Sequence, residues 1–254
     1  MKCVVRVFDA GHARLQLKSN RMKSCACLAL LLLSAVCALA AEKDAAVPLS
    51  QERHHQLIFQ NQYTRVWSVT VAPSESTLMH HHDNDYVAVI LTPSHVQNEV
   101  DGKPATIGRA GAGEVRFTTA PMTHRVTDLG EKPFSGLVVE ILKKNAAKSG
   151  EQKAERGLEV GHGGLSDTVI DNDQVRVQDV QIAAGGMLHK HTHKFPFLVV
   201  ALTDLELHNM PQGKPARMVS QKAGEVKWIG VSGTTHEMMN MGKQEARFIE
   251  IEFK

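Results

Sequence analysis

Beyond residue 37 the chain has no cysteine. Cys3, Cys25, Cys27 and Cys37 are its only four, so the remainder has neither disulfides nor thiol chemistry, and its fold rests on a core alone. A membrane-length apolar run is also missing. The apolar block ACLALLLLSAVCALA, residues 26–40, is shorter than the roughly 18–20 residues a spanning helix needs. Helical periodicity is lacking too: no stretch after residue 40 has a persuasive period except the charged segment near the middle. Excess positive charge is the last absence. The first 40 residues hold six of the 29 Lys/Arg and one of the 27 Asp/Glu, leaving 23 basic and 26 acidic residues, a net of about −3. That removes the electrostatic case for nucleic acid.

The block at 26–40 follows Arg21 and Lys23 and ends in Ala-Leu-Ala. A basic flank, a short apolar centre and a small-x-small end describe a secretory signal peptide over residues 1–40, with the mature chain starting at Ala41. Translation from Met22 would give a signal of more ordinary length. An uncleaved N-terminal anchor is the alternative, and Val36 before Cys37 fits a lipoprotein signal poorly. The expected location is therefore periplasmic or secreted, with no stable membrane span after processing.

What is present is a repeat. FQNQYTRVWSVTVAPSESTLMHHHDNDYVAVILT, from Phe59, aligns without gaps on IDNDQVRVQDVQIAAGGMLHKHTHKFPFLVVALT, from Ile170, at an offset of 111. Arg65 falls on Arg176, His80 on His191 and His82 on His193. The same offset carries GKPA at 102–105 onto 213–216 and AGEV at 112–115 onto 223–226. One inserted residue then brings His124 onto His236 and Asp128 onto Asn240. The chain is a tandem duplication with halves at 47–142 and 165–254, joined by a charged, Gly-rich linker at 143–164.

Each half reads as short β-branched strands separated by Pro, Gly and Asp clusters, such as DYVAVILT and SGLVVEIL against PFLVVALT and ARFIEIEF. Many short strands in about 90–100 residues predict an all-β fold, with a small barrel or double-sheet jelly roll in each half. Along a strand, alternate side chains share a face. His80 and His82 therefore point together and His81 away; His189, His191 and His193 share a face in the second half. Two imidazoles so placed can reach one ion at about 2 Å. A third arriving from another strand, His124 or His236, would complete a triad with positions open to water or substrate.

These motifs resemble the cupin superfamily, and the duplication resembles a bicupin. The first cupin motif, a glycine followed by H-x-H and then a glutamate, is matched by Gly185, His191 and His193, and with Ser74 in place of glycine by His80 and His82. The second is matched by Gly113, His124 and Asp128, with Pro121 where an inner glycine is expected, and by Gly233, His236 and Asn240, with Val231 replacing the proline. The resemblance covers essentially the whole chain after the signal. It implies two tandem jelly-roll barrels and a divalent transition metal such as Fe, Mn, Zn or Ni.

The motif glutamate, usually a fourth ligand, is absent from both halves. The sites expected are three-histidine sites, His80, His82 and His124, and His191, His193 and His236, with Asp85 and His189 as candidate added ligands. The alternatives are a turn cap for Asp85, a barrel-mouth position for His189, and triads that only hydrogen-bond inside a barrel. Arg65 and Arg176 are candidate clamps for a substrate carboxylate, or else partners of Glu140, Glu250 or Glu252. Trp67 and Trp228 are expected in the core. The function that follows is an exported metal-binding bicupin, a metal-dependent enzyme of dioxygenase, isomerase or lyase type acting on a small anionic molecule. The alternative is a non-catalytic periplasmic module binding a small molecule or metal. A monomer or homodimer is expected.

Overall fold

The computed structural model describes residues 45–143, 158–160, 162–230 and 233–254. The expected signal peptide, most of the expected linker and Val231 lie outside the described residues. The described residues are almost entirely β. The first half contains β1 (Val47–Pro48), β2 (His55–Gln60), β3 (Thr64–Val71), β4 (His80–His82) and β5 (Tyr86–Ile90). It continues with β6 (Ser94–Val100), β7 (Thr106–Ala110), β8 (Val115–Thr118), β9 (Met122–Asp128) and β10 (Phe134–Ile141). A 3-10 turn, Leu49–Gln51, separates β1 from β2.

The second half repeats the order. It comprises β11 (Leu158–Val160), β12 (Gly164–Asp171), β13 (Val175–Ile182), β14 (Met187–His193) and β15 (Phe197–Ala201). After these come β16 (Leu205–Pro211), β17 (Arg217–Gln221), β18 (Val226–Ile229), β19 (Thr234–Asn240) and β20 (Ala246–Phe253). The expected linker thus ends in structure, because β11 pairs antiparallel with β12 along Leu158–Val160.

Each half is a pair of sheets. In the first, β2-β3-β10-β5-β8 faces β1-β4-β9-β6-β7; in the second, β11-β12-β13-β20-β15-β18 faces β14-β19-β16-β17. The two-residue period of a strand decides which side chains enter the barrel. On β3, Arg65, Trp67, Val69 and Val71 share one face and Val66 takes the other. The inward set forms a small core of Leu49, Trp67, Val69, Val71, Tyr86 and Val138. Inside the second barrel, Val180, Ile182, Leu188, Leu205, Leu207, Met238 and Phe248 are the larger members of the matching core.

The outward set builds something larger. Val66, Val87, Val89, Leu137, Val139 and Ile141 form one cluster with Val175, Val177, Leu198, Val200, Ile249, Ile251 and Phe253. The outward faces of β5, β10, β15 and β20 supply most of this cluster, and the two halves share their most extensive core. Trp228 lies at this junction, 5.4 Å from the ring centroids of both Tyr63 and Phe253. Trp67 is buried within its own barrel, with Nε1–H donating to Glu140 Oε2 at 2.7 Å. Polar bonds also cross: Gln174 Nε2 donates to Asp85 Oδ2 at 2.7 Å, and an Arg247 guanidinium N–H donates to the Ala112 carbonyl at 3.3 Å.

Ser74 stands where the motif has glycine, yet it adopts the same left-handed turn, with φ 65° against 72° at Gly185. Its backbone N–H donates to the Asp128 carbonyl, as that of Gly185 does to the Asn240 carbonyl. The turn is thus retained at the cost of about 1–2 kcal/mol that a Cβ incurs in that region.

Candidate metal centres

Strand register assembles the histidines. β4 pairs antiparallel with β9 so that His80 lies opposite His124, and β14 pairs with β19 so that His191 lies opposite His236. His82 and His193 sit two residues along on the same inward face. The three rings of the first triad have centroids 4.6–5.2 Å apart, and those of the second 4.5–4.9 Å. His82 Nε2 lies 3.2 Å from His124 Nε2, and His193 Nε2 lies 2.8 Å from His236 Nε2. Two nitrogens bound to one ion at about 2.1 Å stand roughly 3.0–3.4 Å apart, so each of these pairs is near the spacing a cation needs, and one nitrogen from each of His191, His193 and His236 lies within 4.8 Å of the others.

Two of the three outer nitrogens are tied back in the same way in both halves. His80 Nδ1–H donates to the Leu78 carbonyl and His191 Nδ1–H to the His189 carbonyl, each at 2.8 Å. His124 and His236 use Nδ1–H on the Asn98 and Asn209 side-chain oxygens at 2.8 and 2.7 Å. Tethering Nδ1 fixes the tautomer, and it leaves the Nε2 lone pair as the ligand atom. His80 Nε2 is buried without a hydrogen-bond partner, a costly state for an isolated polar atom. The donor set and this orphaned nitrogen fit a divalent transition metal.

Around these triads the halves diverge. In the first, His55 on β2 joins them: one ring nitrogen from each of His55, His80 and His82 lie within 4.8 Å of one another. His55 Nδ1–H donates to the buried Glu52 carboxylate at 2.5 Å. Burial alone would raise the Glu52 pKa, but the His55 bond and the Leu78 and His54 backbone N–H groups hold it down at about 2. The neighbouring imidazoles stay neutral. Burial and then the adjacent rings lower His82 to about 2 and His124 to about 3, while burial and then His55 lower His80 to about 4.

In the second half Ser166 stands where the repeat places His55, and carboxylates take over. His193 Nδ1 is 2.8 Å from Glu250 and 3.2 Å from Glu252. Burial would lower its pKa, but bonding and attraction to both glutamates lift it to about 9. Burial, then His191 and His193, lower His236 to about 3. The His193 ring is thus cationic at neutral pH and its Nε2–H donates to His236. A metal entering this triad displaces that proton.

The candidate added ligands lie elsewhere. Asp85 accepts the Ala120 backbone N–H on one oxygen and Gln174 on the other, each at 2.7 Å, so it joins the halves rather than facing the triad. A register shift between Leu188 and His191 breaks the alternation assumed for β14, and His189 is exposed, gives its carbonyl to His191 and lines the polar cavity beside the triad, as the barrel-mouth alternative had it. His81 points off-face, 3.8 Å from Asp83. The arginines differ as well. Arg65 Nε is 3.0 Å from Glu140, and Arg65 does not line the first barrel's cavity of about 190 Å³, which carries His55 and the first triad. Arg176 lies 3.4 Å from Asp171 and 4.0 Å from Glu252. It lines a polar cavity of about 390 Å³ with Lys190, His191, His193 and Glu250. On the far side of the same triad, His236 and Glu250 line a second, mostly apolar cavity of about 360 Å³.

Sequence reasoning missed Asn98, Asn209, His55 and Glu52. The asparagines were within reach, because the 111-residue offset superimposes them. His55 carries no such signal, since no motif contains it and its counterpart is serine.

No known sequence family and no curated protein matches the chain. Similarity is found among solved structures. AerE from Microcystis aeruginosa superimposes with a TM-score of 0.59 at 14% identity, over 81% of this chain and 95% of that one. Oxalate decarboxylase from Bacillus subtilis superimposes with a TM-score of 0.55 at 12% identity, over 75% and 68%. A second structure of that decarboxylase, concerned with its Mn(II) centres, gives 0.56 at 12%, over 80% and 75%. At such identities the likeness is one of fold.

Proposed function

From the premise that this chain has the bicupin fold of the cupin superfamily, we propose that it is an exported metal-dependent enzyme acting on a small anionic molecule in its second barrel. The observation that carries this reading is the polar cavity of about 390 Å³, whose wall holds His191 and His193 beside Arg176, Lys190, Glu250 and Glu252. His191, His193 and His236 would hold the ion, which when bound supplies Lewis acidity and, for Mn or Fe, redox capacity. The Mn(II) centres of the decarboxylase that shares the fold support manganese first among the candidates.

Arg176 is the residue for substrate binding. Both its ion-pair contacts are longer than the roughly 2.7–2.9 Å of a strong charge-assisted bond, so its planar fork is available to a carboxylate. Lys190 adds a second positive charge to the same wall. Glu250 and Glu252 orient His193 through Nδ1, the outer partnership that metal-binding histidines use. Export is supported by the apolar block at 26–40 and by the absence of any thiol from residue 38 onward; among the described residues no helix is long and apolar enough to cross a membrane.

The test is metal analysis of tagless protein starting at Ala41, comparing wild type with His82→Ala, His193→Ala and the double variant. The expected result is about two equivalents in wild type, one in each single variant and none in the double. Wild type that stays empty after iron, manganese, nickel and zinc are added back sinks the metalloenzyme reading.

A further inference from the structure

The two barrels do not treat the missing motif glutamate alike. In the second, no carboxylate replaces it in line with the triad; Glu250 and Glu252 reach His193 on its outer nitrogen. In the first, the vacancy has a nitrogen beside it. His55 comes from β2, in the opposite sheet to the strands that carry the triad. Its ring centroid is 4.8 Å from that of His80 and 6.2 Å from that of His82. The His55 side chain is only 4% exposed and that of Glu52 is fully buried.

That arrangement has no structural necessity. The strand face does not require a histidine and carboxylate, since Ser166 fills the equivalent place by accepting Gln178 Nε2–H at 2.9 Å. Glu52 is itself held by three donors: His55 Nδ1–H, the His54 backbone N–H at 2.8 Å and the Leu78 backbone N–H at 3.1 Å. The Leu78 contact matters, because the Leu78 carbonyl tethers His80. One buried carboxylate therefore braces His55 directly and the first triad through the backbone. Metal-binding histidines use such a carboxylate partner on the outer nitrogen and offer the other nitrogen to the ion, and here the His55 ring stands beside His80, whose own Nε2 is orphaned.

We infer that His55 is a fourth metal ligand of the first barrel, braced by Glu52, and that this barrel encloses its ion in an all-nitrogen shell while the second keeps an open position. Closed four-coordinate shells suit structural sites, and three protein ligands with a free position suit catalytic ones. The cavities agree in direction: about 190 Å³ at the first site, against about 390 and 360 Å³ on the two sides of the second. The inference rests on the metal-binding reading above and assigns its two sites different work.

Cobalt(II) tests it, as a spectroscopic stand-in on the full mature chain stripped with chelator. His193→Ala isolates the first site and His82→Ala the second. The isolated first site is expected to take one equivalent, with a visible spectrum that does not respond to azide; the isolated second site responds. Adding His55→Ser to the isolated first site should weaken cobalt binding by more than the roughly 10–100-fold that loss of an outer partner costs, and should make its spectrum azide-sensitive. Glu52→Gln should weaken it within that range without opening it. His55→Gln is the second variant, expected to match His55→Ser with unchanged circular dichroism. An isolated first site whose affinity and spectrum are indifferent to both His55 substitutions, or whose spectrum responds to azide with His55 in place, overturns the inference and leaves metal binding standing. Wild type that takes up no cobalt overturns the metal reading itself.

Discussion

The two barrels share an inner ring and its tethers and differ in the layer beyond. His80, His82 and His124 superimpose in the repeat on His191, His193 and His236, and each set is tied back through a carbonyl and an asparagine. The next layer is not shared: His55 against Ser166, Trp67 against Gln178, Tyr86 against Phe197, Val138 against Glu250. A duplicated motif thus carries the ligand ring, while strands outside the motif set the charge and access of each site. The first adds one further imidazole, His55, backed by the buried Glu52 carboxylate. The second surrounds it with two carboxylates, an arginine and a lysine.

The largest effect should come from the shared core, where the comparison between halves stops being meaningful. Ile251 is fully buried in the cluster drawn from both barrels. Ile251→Ala should cost about 2–5 kcal/mol, seen as one cooperative denaturation transition followed equally by Trp67 and Trp228 fluorescence. Two separate transitions would show that the barrels fold as independent modules. Next, Asn98→Ala and Asn209→Ala each remove the tether of one histidine. Each should weaken metal binding at its own site by roughly 10–100-fold and leave the other unchanged, as chelator competition would reveal. Loss at both sites from either change would mean that the tethers are not local.

A smaller effect distinguishes the charges. In chelated protein, His193 titrates near 9 rather than at its ordinary 6.5. A raised folded-state value stabilises below the unfolded value, and that contribution is lost as pH rises through about 9. Metal-free protein should therefore lose stability between pH 6.5 and 9. Glu250→Val, which installs the first-half residue, should flatten that slope; an unaltered slope would show that Glu252 alone holds the proton. The smallest effect is at the turn. Ser74→Gly, copying Gly185, relieves about 1–2 kcal/mol of left-handed strain against about 0.4–1 kcal/mol of added unfolded-state entropy. The net gain should be under about 1 kcal/mol in denaturant midpoint analysis, and a loss would mean that the serine hydroxyl is needed in that turn.

Legibility followed from the type of signal. Strand alternation was enough to pair His80 with His82 and His191 with His193, and the 111-residue offset to find the repeat, because a period of two and a repeat are one-dimensional patterns. Adding His124 and His236 took the likeness to the cupin motifs, since their approach depends on strand register. Asp85 showed the limit: it lies near His82, one residue short of the motif spacing, yet its carboxylate turns to Gln174, which is 89 residues away. His189 showed another, since a single register irregularity is invisible in a histidine-rich run. Arg65 and Arg176 are equivalent in the repeat, and only their surroundings separate a half-buried ion pair from a cavity wall.

What the sequence determined by itself is the duplication, the all-β character, the inward pairing of His80 with His82 and of His191 with His193, and the lack of any thiol to staple the fold. These depend on neighbours along the chain, where alternation and turn chemistry act. The approach of His55 to the first ring, the two glutamates on His193 and the common core between barrels were decided only by tertiary structure. They join residues from strands that do not adjoin in sequence, and burial of apolar faces, rather than any local preference, brings those strands together.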